Sequence, residues 1–471
     1  RTDYELIGFY TQNFGDFGVN VQAGGNSFTL KNQSESANTN QGLSVPGLYA
    51  ISNSKANPSI GNGRAEQQIN SVFASGDLEW RKMASITFAI RNDWNSTLPA
   101  SQGSLLYPSA GASFVFSELM GSKPDWFNFA KVFGSWGKKP AALNIYQSNF
   151  TYGVNQFLWG TNFLMSTPDA YPDPNLKGAL ITTIEAGLDF RFLRNRLGLN
   201  IVYFNEKADK IPVGVAISGV SGFTSTNVNA SVIQREGIEV VLNGKAVSTK
   251  DWNLDLSTTF SYLIKNPVKE IVEGTPQILL EGGAFGTRFA RAFQVKGEDW
   301  GQLIGGGIKR NAAGQPIVDP TSGAYLNDVN KKWGSIVPKI NGGFLANLSY
   351  KQFDLGFAID YQFGGKFFSL SEMWGHYSGL FAATAARNDK GVNVRTDVAD
   401  GGGVRVVGVS SVDEKTVVDM YVPAQEYFHN FYNAQVAEPY VHDLSYLKLR
   451  ELSFGYRIPV QNFGKVKNYI Q

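Results

Sequence analysis

Cysteine is absent from all 471 residues, which excludes disulfides, thiolate zinc sites and cysteine nucleophiles and leaves the redox compartment open. Charge is also scarce: Asp, Glu, Lys and Arg make up 17% of the chain, against about 25% in an average soluble protein. The 42 basic residues nearly cancel the 40 acidic ones, and a net charge of +2 gives no general electrostatic case for nucleic acid or for an acidic partner. No apolar run approaches the roughly 20 residues that a membrane-spanning helix needs. The chain opens on Arg1 without a Met or a signal peptide, and both ends read as the middle of a fold, so a fragment is expected. Either the protein is soluble or it crosses a membrane as strands.

Aromatic residues are plentiful at 13%, with 33 Phe, 20 Tyr and 9 Trp. They fall into strict period-two patterns, the signature of a strand with two different faces. Trp252, Leu254, Leu256, Thr258, Phe260 and Tyr262 alternate with Asn253, Asp255, Ser257, Thr259 and Ser261. Phe353, Leu355, Phe357, Ile359, Tyr361 and Phe363 alternate with Asp354, Gly356, Ala358, Asp360 and Gln362. Further apolar faces run through Leu197 to Tyr203, Phe344 to Tyr350 and Leu452 to Ile458. A half-exposed strand of a soluble sandwich alternates in the same way. Aromatics at the strand ends and almost uncharged apolar faces favour a membrane barrel instead, where aromatic girdles mark the two interfaces.

Strands are expected near residues 6–12, 17–24, 67–77, 78–91, 105–117, 127–138, 180–193, 196–206, 231–243, 252–263, 337–350, 352–363 and 444–458, with another starting near 465. Connections then alternate. Short ones fall at 13–16, near Gly76-Asp77, and at 118–126, 194–195, 244–251, 351 and 459–464; long ones at 25–66, 92–104, 139–179, 207–230, 264–336 and 364–443. Segregating the long loops to one end is the habit of an outer-membrane barrel, whose periplasmic turns are short and external loops long. No internal repeat, low-complexity linker or break in pattern marks a second domain.

Particular residues carry a family resemblance. Gly42 to Tyr49 with Ile51 to Ser54, Arg91-Asn92-Asp93-Trp94-Asn95-Ser96-Thr97-Leu98-Pro99, Tyr107-Pro108-Ser109 and Phe114 to Glu118 resemble segments of the SusC/RagA family of TonB-dependent outer-membrane transporters of Bacteroidetes. Phe129 to Gly137 is similar to the strand that follows there, with Val132-Phe133 in place of the usual Leu-Arg, and Val441 to Tyr456 is similar to a late-barrel strand. The resemblance implies an all-β, transmembrane antiparallel β-barrel, with about 14 strands here out of a 22-stranded whole. On this expectation residues 1–471 are a partial barrel domain with long extracellular loops, and the N-terminal plug, the TonB box and the last strands are not present. It also implies TonB-dependent uptake of oligosaccharides or peptides across the cell outer membrane. The implied partners are a SusD-like surface lipoprotein, TonB acting through a plug, outer-membrane lipid and a glycan or peptide substrate. The alternative is a scaffold barrel that holds surface lipoproteins without transport.

Residue chemistry gives no catalytic set. The three histidines, 376, 429 and 442, have neither a cysteine nor a HExxH spacing near them and read as structural. Gly282 to Gly286 and Gly305-Gly306-Gly307 lack the Lys-Ser/Thr pair of a phosphate loop and read as loop glycines. Asp169, Asp173 and Asn175, or Asp397 with Asp400, offer oxygen ligands for calcium, but two prolines spoil the first set as an EF-hand, and no metal or cofactor is expected. Asp354, Asp360, Asp255 and Asn253 are expected to face the lumen. The one site-like signal is aromatic crowding in the long loops, at Tyr146, Phe150, Tyr152, Phe157 and Phe163 in one loop and at His376, Phe381, Phe428, Phe431 and Tyr432 in the last. From it, Trp94, Trp159, Tyr171, Trp374, Tyr377 and Tyr427 are the candidates for contacting a ligand or a lipoprotein. The ordinary alternative, favoured here, is that these rings pack loop against loop or against a partner protein.

Overall fold

The computed structural model describes residues 1–280 and 289–458, without the side chains of 155–158. No described helix is long and apolar enough to cross a membrane. The expected strand near 465, the turn at 459–464, the glycines at 282–286 and the Phe157 ring lie outside the described residues.

Among the described residues thirteen long strands carry the architecture: β1 (Thr2–Phe14), β2 (Phe17–Leu43), β3 (Ser54–Trp80), β4 (Ala84–Asn95), β5 (Ser104–Phe114), β6 (Phe127–Ala141), β7 (Ala179–Phe192), β8 (Leu197–Ala216), β9 (Ser225–Ser248), β10 (Trp252–Lys265), β11 (Ile340–Tyr350), β12 (Phe353–Phe363) and β13 (Tyr446–Tyr456). They match the strands read from the alternation one for one. Contacts divide the chain into two compact units, one of Arg1–Pro124, Phe129–Asp189 and Phe204–Val232, the other of Asp125–Asn128, Phe190–Tyr203 and Ile233–Gln471.

In the first unit β1 to β6 pair in chain order, each antiparallel to the next. Register places like with like. Leu78, Gly76 and Ala74 of β3 lie opposite Ile86, Phe88 and Ile90 of β4, which lie opposite Ala112, Ala110 and Pro108 of β5. The other face carries Asp77 and Ser75 beside Thr87 and Ala89, then Ser71 beside Asp93 and Arg91 beside Tyr107. There Arg91 Nε donates to Asp93 Oδ1 (2.7 Å), Arg91 Nη2 to Ser71 Oγ (2.7 Å), and the Tyr107 hydroxyl to Asp93. The apolar face is bare: Ile86 is 58% and Phe88 53% exposed. A polar face whose cations find carboxylates, backed by an exposed and uncharged aliphatic face, is what a wall between a wet lumen and lipid requires.

The second unit repeats the division in β9 to β13. Trp252, Leu254 and Leu256 meet Tyr350, Leu348 and Ala346, which meet Phe353, Leu355 and Phe357, which meet Tyr456, Phe454 and Leu452. Asp354 and Asp360 fall on the opposite face, as expected. Asp354 takes Arg457, and Asp360 takes both Arg450 (2.6 and 2.7 Å) and the Tyr446 hydroxyl (3.0 Å). Arg450 reaches Asp360 because the register slips between Ala358 and Ile359, so a bulge turns it onto the polar face. Rings gather at both strand ends. Trp252 packs on Tyr350 (4.1 Å between centroids) and Phe353 on Tyr456 (4.9 Å) at the short-turn end, while Tyr361 packs on Phe363 (5.8 Å) at the other. Ten steps of strand cover roughly 34 Å, and at a tilt of about 45° they rise roughly 24 Å, close to the ~25 Å apolar band of an outer-membrane wall.

Several expectations need correction. No turn occurs at Gly76-Asp77; β3 runs on to Trp80, and the chain reverses at Arg81 and Lys82, which take positive φ of 49° and 54°. The expected loop at 25–66 is mostly ladder: β2 and β3 stay paired from Phe17↔Trp80 to Leu43↔Ser54, and the tip is only 44–53. Asn53, buried there, receives Val45 N–H on its side-chain oxygen and donates to the carbonyls of Val45 and Leu48. The expected loop at 207–230 likewise shrinks to 217–224. Both errors share a cause: beyond the apolar band a ladder needs no apolar face, so Ser, Asn, Gln and Gly on both sides of a strand read as loop. Gly305 and Gly306 also lie in a strand, Gln302–Ile308, not a loop. A Cβ at Gly305 would strike the carbonyl oxygen of Phe289, and one at Gly306 that of Gln435, so only glycine fits.

The remaining long connections of the second unit, 266–339 and 364–445, fold rather than wander. One holds a four-stranded sheet of Gln277–Leu279, Ala290–Val295, Gln302–Ile308 and Asn327–Ser335. Ile317–Val318 from it joins Val404–Ser410 and Val417–Val422 of the other in a three-stranded sheet. The second connection also forms α1 (Leu370–Tyr377) and α2 (Ala424–Asn433). Many of the largest fully buried side chains among the described residues, including Tyr440, Met373, Ile317, Val406 and Val436, belong to these connections.

Candidate functional site

The helices of the last connection build the site. Ser369 caps α1 by accepting the N–H of Glu372, three residues on, which is the Ser-x-x-Glu start signal. Met373 of α1 and Phe431 of α2 drive together with Phe289, Val436, Ala437 and Tyr440 into one buried cluster, and Val318, Val406, Val418 and Val422 form a second. Tyr427 touches both, and its burial, with Tyr325 nearby, pushes its hydroxyl pKa up to about 12.

A hairpin fixes the start of α2. Arg405 donates to both oxygens of Asp419 (2.8 and 2.7 Å) and to Asp389 (3.0 Å), which also takes the Tyr421 hydroxyl (2.8 Å). Arg405 holds Asp419 below its ordinary carboxylate range, and Tyr421, with Arg405, does the same for Asp389. At the hairpin tip the Thr416 hydroxyl and the N–H groups of Lys415 and Thr416 bring Asp413 down to about 2. A carboxylate with a depressed folded pKa stabilises above its unfolded pKa and loses that contribution as pH falls through the folded value. The 404–422 hairpin is therefore expected to keep its protection from proteolysis between about pH 8 and 5 and to lose it between about pH 4 and 2. Equal cleavage rates at pH 5 and pH 2 would contradict this.

Against the start of α2 lies a cleft of about 730 Å³, lined by His376, Tyr377, Thr384, Arg395, Phe428 and His429 among others. Gly375 lets the Phe381 ring close on α1: a Cβ there would meet that ring at 2.5 Å. The His376 ring stacks on Phe428 (5.2 Å, 19°) with Phe381 edge-on (5.2 Å), and its buried Nδ1 has no partner among the described residues. His429 stacks on Tyr377 (3.9 Å, 14°) with Nε2 2.9 Å from the Tyr377 carbonyl oxygen. Arg395 closes one side, its Nε donating to the Thr384 carbonyl (2.8 Å) and its Nη2 to the Gly379 carbonyl (2.6 Å) and Thr384 Oγ1 (2.7 Å). No carboxylate pairs with Arg395 among the described residues. Flat rings, amphoteric imidazoles and a guanidinium can grip a ring or a chain of polar groups.

The sequence candidates separate. Trp374 packs edge-on to Tyr377 (5.4 Å), and both lie against Tyr432 (5.1 and 5.0 Å), so α1 and α2 bring these rings together, with Tyr377 on the cleft. Tyr427 serves the core, between Phe428 and Phe431. In the first unit Tyr171 packs on Phe223 (5.2 Å), which meets Phe150 (6.2 Å). Trp159 is 74% exposed on a short hairpin, and Trp94 continues the apolar face of β4 through Ile90 and Asn92 to its long-loop end. Asp397 and Asp173 each accept a backbone N–H two residues on, from Ala399 and Asn175, as turn residues do. No group of three or more His, Asp or Glu converges to hold a metal among the described residues. Sequence reasoning missed Thr384 and Arg395 altogether; an arginine in a Gly- and Asn-rich stretch carries no periodic signal.

Residues 1–427 match the family model described as TonB dependent receptor-like, beta-barrel. TonB-dependent receptor P3 of Formosa agariphila is 22% identical over 438 residues, covering 85% of this chain and 39% of that protein. TonB-dependent receptor SusC of Bacteroides thetaiotaomicron is 33% identical over 129 residues, 26% of this chain and 12% of that one. The solved RagAB peptide importer in its closed-closed state superposes with a TM-score of 0.75 at 18% identity, over 99% of this chain and 50% of that chain. The chain thus spans half or less of the length of these relatives.

Proposed function

We propose that this chain, which belongs to the TonB dependent receptor-like β-barrel family of the outer membrane, is the wall and outer loops of a nutrient importer. Its cargo is an oligosaccharide or a peptide, delivered with a SusD-like lipoprotein and driven through TonB. The observation that carries this reading is the pairing of a two-faced, girdled wall with loops folded into a module with its own buried core around an open, ring-lined cleft. A porin needs no such module; capture before passage does. The likeness to SusC and to the RagAB importer supports the cargo classes, and a plug and a TonB contact belong to this reading as further parts of the machine. The cleft binds and releases its cargo.

The test is uptake by cells carrying the full-length protein on defined oligosaccharide or peptide as sole nutrient. Deletion is expected to abolish growth on one class. Arg395→Ala with Phe428→Ala is expected to raise the half-saturating nutrient concentration about tenfold at unchanged protein level, the effect of roughly 1.4 kcal/mol of lost contact. Undiminished growth after deletion, with surface lipoproteins lost instead, would favour the scaffold.

A further inference from the structure

At the long-loop end of the first unit the apolar face stops at a row of uncharged polar groups held between two rings. Pairing runs Tyr4↔Ser27, Ser27↔Asn70 and Asn70↔Trp94 across β1 to β4, and the row beneath it runs Leu6↔Gly25 and Gly25↔Val72. A shallow crevice of about 400 Å³ lies over these two rows, with Tyr4, Leu6, Ser27, Asn70, Val72 and Trp94 among its lining residues. Gly25 makes the hollow: a Cβ there would press on the Ser71 carbonyl oxygen at 3.0 Å and stand 3.9 Å from Val72 Cγ1, on the side of the sheet that Val72 occupies.

Side-chain contacts agree that the lining shares one face. Ser27 Oγ donates to Asn70 Oδ1 (2.8 Å). The side chains of Asn26 and Ser71, which alternate with the lining, are turned to the other face, where Arg91 Nη2 donates to both (3.1 and 2.7 Å). Asn70 Oδ1 also receives Gln68 Nε2 (3.4 Å), so the acceptor of this exposed amide is occupied while its N–H groups have no partner among the described residues.

Depth fixes where the crevice sits. Ten steps along β4 separate Ala84, at the short-turn end, from Trp94, which is the depth of the apolar band. Tyr4 and Trp94 therefore stand at the outer interface, where amphipathic rings settle. Neither row carries a charge, and the next cation outward on this face, Lys31, is bound to Glu66 (3.4 Å). Recognition here is by ring faces and neutral hydrogen bonds, the chemistry that holds a sugar, whereas a bare phosphate is held by cations. Three inter-strand spacings separate Tyr4 from Trp94, about 14 Å, which leaves room for a sugar between them. The outer leaflet of a bacterial outer membrane is made of acylated sugars, and the hollow at Gly25 opens on the lipid-facing surface directly beneath the polar row.

We propose that this crevice is a binding site for one outer-leaflet glycolipid, with an acyl chain in the hollow over Gly25 and a headgroup sugar against Asn70, between Tyr4 and Trp94. A lipid is the occupant because the hollow is continuous with the membrane-facing surface of the wall and ends at the level of the headgroups.

The test places the full-length protein in nanodiscs of phosphatidylethanolamine with minor, equal amounts of lipid A and phosphatidylglycerol, then releases it for native mass spectrometry. The wild-type protein is expected to retain one lipid A in preference to both phospholipids. Asn70→Ala with Trp94→Ala, both exposed positions, removes the headgroup contacts and is expected to cut retention about tenfold, whereas Trp94→Tyr is expected to keep it within about twofold. Gly25→Val, which fills the hollow, is expected to lower retention as far as the double variant. Gel mobility without heating checks that each variant is folded; should Gly25→Val fail it, the exposed pair decides. Soluble chitobiose is expected to leave the lipid in place. No retained lipid A, equal retention of either phospholipid, retention undiminished in the exposed double variant, or displacement by chitobiose would overturn the proposal.

Discussion

Phe431→Ala is expected to unfold the outer loops of the second unit while leaving the strand ladder in place. The ring is 5% exposed and lies against Tyr325 (5.9 Å), Tyr427 (5.3 Å) and Tyr440 (5.9 Å), with Met373 and Val436 in the same cluster. Rigid rings on several sides cannot slump into the space left behind, so the cost should sit at the upper range for a buried aromatic, about 3–5 kcal/mol. Among the described residues of these loops the other cluster offers less support, being four valines with a few half-buried neighbours. Limited proteolysis should then cut within 364–443 at least a hundredfold faster, while gel mobility without heating still reports a folded wall. Phe431→Leu keeps most of the volume and should cost less than half as much. If both variants resisted protease like the parent, the loops would owe their order to something other than this core.

The second large effect compares neighbours in sequence. Phe357→Arg is expected to prevent stable insertion of the wall, and Ala358→Arg to be close to neutral. Phe357 sits mid-strand on the apolar face, opposite Ala346 on one side and Leu452 on the other. A charge at the bilayer midplane of such a face costs about 2–4 kcal/mol, and the lost ring adds its own burial. Ala358 lies opposite Leu345 and Glu451 on the polar face, where a guanidinium meets a carboxylate and water. Refolding into lipid vesicles, followed by gel mobility and urea titration, separates the two. Equal damage from both variants would mean that the two faces are not lipid and lumen.

Much of this contrast was legible without coordinates. Phe353 to Phe363 alternates without error, and in an extended chain successive side chains must point to opposite faces, so the face of every residue in β12 followed from order alone. The lumen side of Asp354 and Asp360 followed in the same way. What failed was every place where local order carries no polarity difference. The upper halves of β2 and β3 have polar residues on both faces and were read as loop, and the turn at Arg81 was missed because positive φ there rests on residues other than glycine. Gly305 and Gly306 looked like a flexible loop; the crowding carbonyls of Phe289 and Gln435 come from residues distant in sequence.

The candidate site shows the same limit. Trp374, Tyr377 and Tyr427 were marked together by aromatic density, yet one lines a cleft and another fills a core, a distinction set by how α1 and α2 pack and not by residue type. Arg395 reaches the cleft only because its guanidinium meets the carbonyls of Gly379 and Thr384, more than ten residues earlier in the chain.

By itself, then, the sequence determined the two-faced strands, their antiparallel succession, the alternation of short turns with long connections and the family, because each depends on periods of two residues and on neighbours in the chain. The tertiary structure decided that the long connections of the second unit fold into a module with its own core, and which rings line a cleft and which fill that core. Those outcomes depend on contacts between residues far apart in sequence, and no local pattern records which distant partner a side chain will meet.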